Sequence, residues 1–283
     1  MSDGDSLKQQ TVRGTIWSAI ERFSVQGIQF IILIVMARVL TPSDYGIVGM
    51  LTIFLAISQS LIDSGFSNAL IQKIDRTETD YATVFYFNIA VGGILYGIMY
   101  FSASGIADFY DIPELISVTR IISLLLLINS LSIVQRAIFT IRIDFKTQAK
   151  ASLIAVVISG IVGISMAYSG YGVWSIVAQT LVNQGLCTIL LWFFSQWVPK
   201  WTFSYNSFKQ LFSFGSKLMI VGILDTLYRN IYTIVIGKKY SAADLGFYTR
   251  AEQFAQFPTS NFTGIMQRVT FPVLSQLQNE EER

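Results

Sequence analysis

Long apolar segments, each close to the length that crosses a bilayer, recur along the whole chain. A membrane-spanning α-helix takes about 20 mostly apolar residues. Eight segments fit this pattern, at residues 14–40, 46–61, 82–104, 116–140, 152–168, 172–194, 211–237 and 247–274. The eighth is the most polar and contains Pro258 and Pro272. Because a backbone in lipid must satisfy its hydrogen bonds within the segment, we predict an all-α, polytopic transmembrane helical bundle.

The composition supports a membrane location. Hydrophobic residues make up 52% of the 283 residues, charged residues make up 13%, and the mean hydropathy is +0.52. A soluble domain carries about twice that share of charged residues. The net charge of +2 and the lack of a long basic run argue against a nucleic-acid partner.

The chain has one cysteine, Cys187, and no histidine. A single cysteine forms no intrachain disulfide, and we expect Cys187 to be a small buried hydrophobe. The lack of histidine removes the commonest zinc ligand and the commonest general acid or base, so we expect no metal and no cofactor. Residues 1–13 are polar, and the apolar run after them is too long for a cleaved signal peptide, so the first span is expected to remain.

Lysine and arginine are unevenly distributed between the connecting segments. With a cytoplasmic N-terminus, the outer loops carry only Arg38, Lys238 and Lys239. The inner segments then carry Lys8, Arg13, Lys73, Arg76, Arg136, Arg142, Lys146, Lys150, Lys200 and Lys209. Because basic residues favour the cytoplasmic side, this asymmetry predicts a cytoplasmic N-terminus.

The chain matches itself at an offset of about 200 residues. Residues 6–9 (SLKQ) recur as 207–210 (SFKQ), and the turn at 41–46 (TPSDYG) recurs as 241–246 (SAADLG). Chance similarity between apolar segments is the alternative, but the matching positions are mainly polar residues and glycine. Six helices separate the copies, which predicts a parallel repeat of two six-helix lobes.

This repeat defines three predicted parts of the chain. Residues 1–195 form a six-helix lobe, residues 196–206 are a linker, and residues 207–283 are the first two helices of an incomplete second lobe. Ser207 is expected to be the N-cap of the first helix in the second lobe. Two glycine pairs, Gly93 with Gly97 and Gly160 with Gly163, are expected to allow close helix packing within the chain.

Several stretches resemble a known family of transporters. They are the opening helix with Trp17, residues 37–46 (ARVLTPSDYG), residues 63–72 (DSGFSNALIQ), residues 244–251 (DLGFYTRA) and residues 271–275 (FPVLS). They are similar to the polysaccharide and O-antigen flippases of the multidrug/oligosaccharidyl-lipid/polysaccharide exporter superfamily. The likeness covers essentially the whole chain, except that the rest of the second lobe is missing.

The resemblance implies a multi-pass protein of the bacterial inner membrane that is not an enzyme. It implies that an undecaprenyl-pyrophosphate-linked oligosaccharide is flipped to the outer leaflet, for polysaccharide, capsule or O-antigen synthesis, by alternating access of the two lobes. The implied partners are this lipid-linked oligosaccharide and the membrane lipids. Whether a glycan polymerase or a glycosyltransferase docks on the protein is left open.

Charged residues inside the predicted spans are the candidates for substrate binding, because a charge in lipid is costly. They are Glu21 and Arg22 in the first span, Asp225 and Arg229 in the seventh, and Arg250 and Arg268 in the eighth. Guanidinium groups suit a pyrophosphate or an acidic sugar. The alternative is that these residues form structural pairs or reach toward the membrane surface.

Two other classes of function are weighed against a flippase. A drug or cation antiporter of the same superfamily would need a membrane-embedded carboxylate, for which Glu21 and Asp225 qualify. An integral-membrane enzyme of polysaccharide synthesis would need a reactive group of residues, usually paired carboxylates or a histidine in a large loop. The predicted connections are short and contain no metal-ligand spacing, which argues against the enzyme.

Overall fold

The computed structural model describes residues 23–63, 65–73, 75–142 and 144–255. Within these ranges the chain contains helices and turns and no strand. The helices are α1 Phe23–Ala37, α2 Pro42–Asp63, α3 Phe66–Gln72, α4 Glu78–Tyr110, α5 Glu114–Ile122, α6 Leu124–Ile141, α7 Phe145–Tyr168, α8 Val173–Ser195, α9 Tyr205–Lys239 and α10 at residues 242–255.

Among the described residues, six helical segments are long and apolar enough to cross a membrane: Pro42–Gln72, Glu78–Tyr110, Glu114–Ile141, Phe145–Tyr168, Val173–Ser195 and Gly215–Lys239. The shorter helix α1 is also apolar. The prediction of an all-α, polytopic membrane bundle is therefore confirmed. Most of the eighth predicted span lies outside the described residues, as do Glu21, Arg22 and Arg268.

Two predicted spans are interrupted in the structure. The second continues beyond Asp63 into α3 through Gly65, whose φ of 67° lies in the left-handed region. A Cβ on Gly65 would also come within 2.6 Å of the carbonyl oxygen of Gly215, so glycine is needed there for both conformation and space. The fourth predicted span divides at Ser123 into α5 and α6.

Two hydrophobic clusters hold the bundle together near its ends. One end carries the turns at residues 38–41, 111–113 and 169–172, and we name it the predicted outer end. Its cluster includes Met50, Leu115 and, from α10, the fully buried Leu245. The cluster at the predicted inner end includes Phe66, Phe85 and two residues near the start of α9, Phe208 and Leu211. Close packing of this kind drives helix association in lipid.

The two glycine pairs behave differently. A Cβ on Gly160 of α7 would overlap the side chain of Ile32 in α1, and a Cβ on Gly163 would come within 2.8 Å of Gln179 Cβ in α8. The packing predicted for this pair is therefore present. Gly93 and Gly97 have open space around their Cβ positions, so the prediction is wrong for them in this part of the chain. The glycine of α4 that does pack is Gly92, against Ser130 of α6.

The two turns of the sequence repeat have the same local geometry. In the first turn, Asp44 Oδ2 accepts hydrogen bonds from Thr41 N at 2.8 Å and from Thr41 Oγ1 at 2.7 Å. In the second, Asp244 Oδ2 accepts from Ser241 N at 3.1 Å and from Ser241 Oγ at 2.6 Å. The hydrogen bonds from Ser241 lower the pKa of the Asp244 carboxyl. Thr41 and Ser241 accept in return from the amides of Asp44 and Asp244, at 3.3 and 3.1 Å, so each turn is a capping box at the start of α2 or α10.

The two capped helices then cross each other closely. A Cβ on Gly46 of α2 would overlap the carbonyl oxygen of Ala242, at the start of α10. A Cβ on Gly246 of α10 would overlap the carbonyl oxygen of Pro42, at the start of α2. Since Pro42 and Ala242 occupy equivalent positions in the repeat, this contact is reciprocal. The division of the chain into lobes at residues 195 and 207 remains a prediction.

The predicted linker is bound to the first turns of α4. Trp197 Nε1 donates to Glu78 Oε2 at 3.0 Å, and the Ser204 amide donates to Thr83 Oγ1 at 3.0 Å. Ser204 is the N-cap of α9 and accepts from the Ser207 amide at 3.2 Å. The N-cap prediction for Ser207 is therefore wrong, because α9 begins two residues before it.

Candidate functional site

Four neighbouring cavities lie between α1, α2, α6, α8, α9 and α10. We name them the outer cavity (about 440 Å³), the side cavity (about 410 Å³), the amide cavity (about 280 Å³) and the inner cavity (about 330 Å³). The outer and side cavities share Arg250, the side and amide cavities share Gln179, and the amide and inner cavities share Gln184. Because each cavity shares lining residues with the next, we refer to the four together as the cleft, whose lining combines polar and apolar side chains.

The cleft runs along most of the bundle. Tyr45, in the first turn of α2, lines the outer cavity, and Asp63, the last residue of α2, lines the inner cavity. An α-helix rises 1.5 Å per residue, so these residues are about 27 Å apart along the helix axis. The hydrocarbon core of a bilayer is about 30 Å thick. The cleft therefore extends over nearly the depth of a membrane.

Two arginines line the outer cavity. Arg250 of α10 is half-buried; its Cζ lies 3.3 Å from the centre of the Tyr45 ring, and its Nη1 donates to Gln253 Oε1 at 2.7 Å. Arg229 of α9 is exposed, and its Nε donates to both carboxylate oxygens of Asp225, at 2.8 and 2.9 Å. Both guanidinium groups therefore border the same space of about 440 Å³.

Three of the six predicted site residues can be placed from these contacts. Arg229 and Arg250 line the outer cavity, and Asp225 pairs with Arg229 one helical turn away on α9. Glu21, Arg22 and Arg268 lie outside the described residues. Whether the six act together on a substrate stays a prediction.

The amide cavity was not predicted from the sequence. It is lined by two apolar residues, Leu125 and Val156, and by six polar uncharged ones: Gln29, Asn129, Gln179, Thr180, Asn183 and Gln184. Four of the six lie on α8, where residues 179 and 183, and residues 180 and 184, are four apart. This spacing places them on one face of the helix, and it is the signal that could have revealed the cavity.

Arg136 is a further cavity residue that the sequence reasoning assigned elsewhere. From the sequence, Arg136 is predicted to lie in an inner connecting segment. In the structure Arg136 lies within α6 and lines the inner cavity together with Asp63 and Asn129. Its Nη2 lies 3.5 Å from Gln184 Oε1 and 3.9 Å from Cys187 Sγ, where Cys187 is buried as expected. The cleft thus has a guanidinium group toward each of its two ends.

The ranges 23–63, 65–73, 75–142 and 144–255 contain no group of three or more His, Cys, Asp or Glu residues placed to hold a metal ion. The polar groups that line the cleft are guanidinium groups, amides, hydroxyls and the carboxyl groups of Asp63 and Glu252. Guanidinium groups bind phosphate and carboxylate oxygens, and amides exchange hydrogen bonds with neutral polar molecules.

An apolar helical bundle with a polar, partly cationic cleft along its length defines a multi-pass membrane protein that can accommodate a polar molecule. The chain belongs to the family described as "Polysaccharide biosynthesis protein", which matches residues 35–283. The resemblance found in the sequence is therefore confirmed.

Curated relatives agree with this family. The teichuronic acid biosynthesis protein TuaB of Bacillus subtilis is 29% identical over 273 residues, covering 95% of this chain and 56% of its own length. The succinoglycan biosynthesis transport protein ExoT of Rhizobium meliloti is 25% identical, covering 96% and 55%. The lipopolysaccharide biosynthesis protein WzxC of Escherichia coli is 24% identical, covering 98% and 57%. The chain thus spans somewhat more than half of the length of these relatives. No solved structure matches the chain significantly.

Proposed function

We propose that this protein flips an undecaprenyl-pyrophosphate-linked oligosaccharide across the bacterial inner membrane during polysaccharide, capsule or O-antigen synthesis. The observation that carries the proposal is the polar cleft, which places Arg229 and Arg250 on one cavity inside an otherwise apolar bundle. A glycan headgroup can pass through such a cleft while its polyprenyl tail stays in the lipid. The names of the relatives TuaB, ExoT and WzxC, all of polysaccharide biosynthesis, support the same proposal.

In this proposal the two arginines of the outer cavity bind the pyrophosphate. A guanidinium group forms two parallel hydrogen bonds to phosphate oxygens, and the bond is strengthened by charge. Arg229 uses only its Nε on Asp225 among the hydrogen bonds described. Its two terminal nitrogens therefore keep donor capacity for an anion. The proposed role of Asp225 is to hold the Arg229 side chain in position.

The proposed mechanism is alternating access, with the N-terminus in the cytoplasm. The close crossing at Gly46 and Gly246 supports an arrangement in which the predicted outer end is shut. Lys238 of α9 adds a second contact there, since it donates to the carbonyl oxygen of Phe109 and lies 3.6 Å from Asp111 Oδ2. The proposed partners are the lipid-linked oligosaccharide and the surrounding lipids, and docking of a glycan polymerase or glycosyltransferase is part of the same proposal.

The test is a complementation experiment in a bacterial strain that lacks its own O-antigen or capsule flippase. The protein, with all the natural sequence that accompanies this chain, is expressed there, and lipid-linked oligosaccharide in the outer leaflet is measured. We expect export to be restored, and to fall at least about tenfold in Arg229→Ala and Arg250→Ala, because each loses charge-assisted hydrogen bonds. Lys239→Ala, an exposed residue in the last turn of α9, is the matched control.

The outcomes separate the competing functions. Normal export by both arginine variants, at unchanged protein levels, would remove the proposed role of the outer cavity. If the protein inserts normally into the membrane but restores export in none of the flippase-deficient strains, a drug or cation antiporter becomes the better interpretation. Ion-driven efflux of a cationic dye from the same cells would then identify it.

A further inference from the structure

The amide cavity differs in chemistry from the rest of the cleft. None of its eight lining residues is charged, whereas the outer cavity contains Arg229, Arg250 and Glu252 and the inner cavity contains Arg136 and Asp63. All eight belong to α1, α6, α7 and α8. Burying polar groups in a bundle costs free energy unless they have hydrogen-bond partners. A cavity with six polar side chains is therefore a place where a polar guest is stabilised.

Hydrogen bonds within the protein fix the orientation of two of these side chains. The Ser159 hydroxyl donates to the Val156 carbonyl at 3.1 Å, so its oxygen is left to accept, and it does so from Asn183 Nδ2 at 3.1 Å. This directs the Asn183 amide and leaves its Oδ1 as an acceptor. The Thr180 hydroxyl donates to the Ile176 carbonyl at 2.8 Å, so its oxygen also remains an acceptor.

Donors and acceptors remain at the other side of the same cavity. Asn129 Nδ2 donates to Gln59 Oε1 at 2.6 Å, which leaves Asn129 Oδ1 as a third acceptor. Gln184 Oε1 receives the guanidinium of Arg136, which leaves Gln184 Nε2 as a donor. The amide cavity thus offers acceptors on Asn129, Thr180 and Asn183, and donors on Gln184 Nε2 and on the second N–H of the Asn129 and Asn183 amides.

This pattern favours one class of guest. A phosphate or carboxylate only accepts hydrogen bonds, so it would leave the three acceptor oxygens unused, and the lining holds no cation to balance its charge. A sugar hydroxyl both donates and accepts, and it can use every group named above. We propose that the amide cavity is a subsite for a neutral sugar residue, in which Asn183, Thr180 and Asn129 accept hydrogen bonds from ring hydroxyls.

The position of the subsite fits the proposed function, on which this inference rests. The amide cavity shares Thr180 with the outer cavity and shares Gln29 and Gln179 with the side cavity. A lipid pyrophosphate at Arg229 and Arg250 would therefore place its attached sugar beside the amides. The cavity then contributes selectivity for a glycan-bearing lipid over the bare carrier, which shares the pyrophosphate and the polyprenyl chain.

The experiment compares two lipids on the purified, nanodisc-embedded protein: undecaprenyl pyrophosphate, and the same lipid carrying one glucose residue. We expect the glucose-bearing lipid to bind more tightly. In Asn183→Leu and in the nearly isosteric Thr180→Val, the ratio of the two affinities should fall by about fivefold, the effect of one neutral hydrogen bond. Affinity for undecaprenyl pyrophosphate alone should stay within about twofold in Asn183→Leu, because Asn183 lines the amide cavity and not the outer cavity.

The matched control is Asn88→Leu. Asn88 is a fully buried amide of α4 that lines none of the four cavities, so the same change there should keep the wild-type ratio. A ratio that is the same in wild type, Thr180→Val and Asn88→Leu would overturn the subsite. So would sodium binding, without any lipid, that disappears in Asn183→Leu, since the three acceptors would then hold a cation. Failure to bind either lipid would instead count against the proposed function.

Discussion

Gly46 and Gly246 face each other where α2 and α10 cross, and each occupies a position where any side chain would strike the backbone of the other helix. A Cβ on Gly246 would also come within 3.2 Å of the Gly46 amide nitrogen. Only glycine permits so close an approach of two helices. This crossing lies at the predicted outer end, directly beside the outer cavity, which Tyr45 and Gly49 line.

We therefore expect Gly46→Ala to separate the two helices and to open the outer end of the cleft. A cysteine placed at Thr52, an exposed residue lining the outer cavity, reports this opening. Labelling of Thr52→Cys by a membrane-impermeant maleimide added from outside should rise several-fold when Gly46→Ala is combined with it. Gly105→Ala is the control, because a Cβ there meets nothing within 4 Å. Equal labelling in both backgrounds would show that the crossing does not close the cleft.

The ring of Tyr45 supports Arg250, whereas its hydroxyl is buried and has no hydrogen-bond partner among the residues that the structure describes. We expect Tyr45→Phe to keep export and to leave thermal stability unchanged or slightly raised, since an unsatisfied buried hydroxyl is removed. Tyr45→Leu removes the cation–π contact, of about 1–2 kcal/mol at a desolvated site. It should lower the affinity for undecaprenyl pyrophosphate by about tenfold. Similar affinities in the two variants would mean that the ring does not position Arg250.

Asp80 is the most tightly held carboxylate among those described. It is fully buried, and its Oδ2 accepts hydrogen bonds from Lys73 Nζ at 2.8 Å, from Thr77 N at 2.9 Å and from Thr77 Oγ1 at 3.0 Å. We expect Asp80→Asn to destabilise the protein by about 2–3 kcal/mol, because the donors on Lys73 and Thr77 lose the charged carboxylate that accepts from them. This change is measured by heating the protein in detergent and recording the fraction that remains monodisperse at each temperature.

Asp111→Asn is the control for that measurement. Asp111 also pairs with a lysine, Lys238, but its side chain is 86% exposed. An exposed ion pair contributes at most about 1 kcal/mol, so the melting temperature should hardly change. Equal losses of stability in Asp80→Asn and Asp111→Asn would contradict the role assigned to burial.

The contact between the linker and α4 predicts protection from protease. Thr83→Val removes the acceptor for the Ser204 amide, and the linker should loosen. Tryptic cleavage after Lys200 is then expected to become several-fold faster in Thr83→Val than in Thr202→Val, whose side chain is exposed. The same digestion on sealed vesicles of known orientation tests the proposed topology, since Lys200 should be cut only from the cytoplasmic side.

The sequence was sufficient for the bundle and for its turns. Apolar segments of the right length predict spanning helices from the cost of an unpaired backbone alone, and the Thr41–Asp44 and Ser241–Asp244 pairs are local signals that need no tertiary information. The sequence does not indicate the break at Ser123, because apolar residues lie on both sides of it. The predicted N-cap of α9 is three residues too late, since Thr202, Ser204 and Ser207 all lie near the start of the helix and only Ser204 also reaches Thr83.

The cleft was less accessible to the same reasoning. Charged residues such as Arg229 and Arg250 are conspicuous in an apolar segment, but a single glutamine or asparagine is not. The residues of the amide cavity come from helices that are up to 155 residues apart, from Gln29 to Gln184. Only the folded structure shows that these residues line the same cavity. Gly93 and Gly97 illustrate the converse, because a spacing that permits packing does not identify a neighbour.

The reciprocal glycine contact also bears on how such a chain could arise. Pro42 and Gly46 meet Ala242 and Gly246 through the same pair of positions, used twice. Two identical copies of one shorter ancestral chain, lying parallel in the membrane, could make this contact with themselves, because one glycine would serve both partners. In that account each side can change alone once the copies are joined. The pair Tyr45 and Arg250 agrees with it, since the equivalent positions hold Leu245 and Met50.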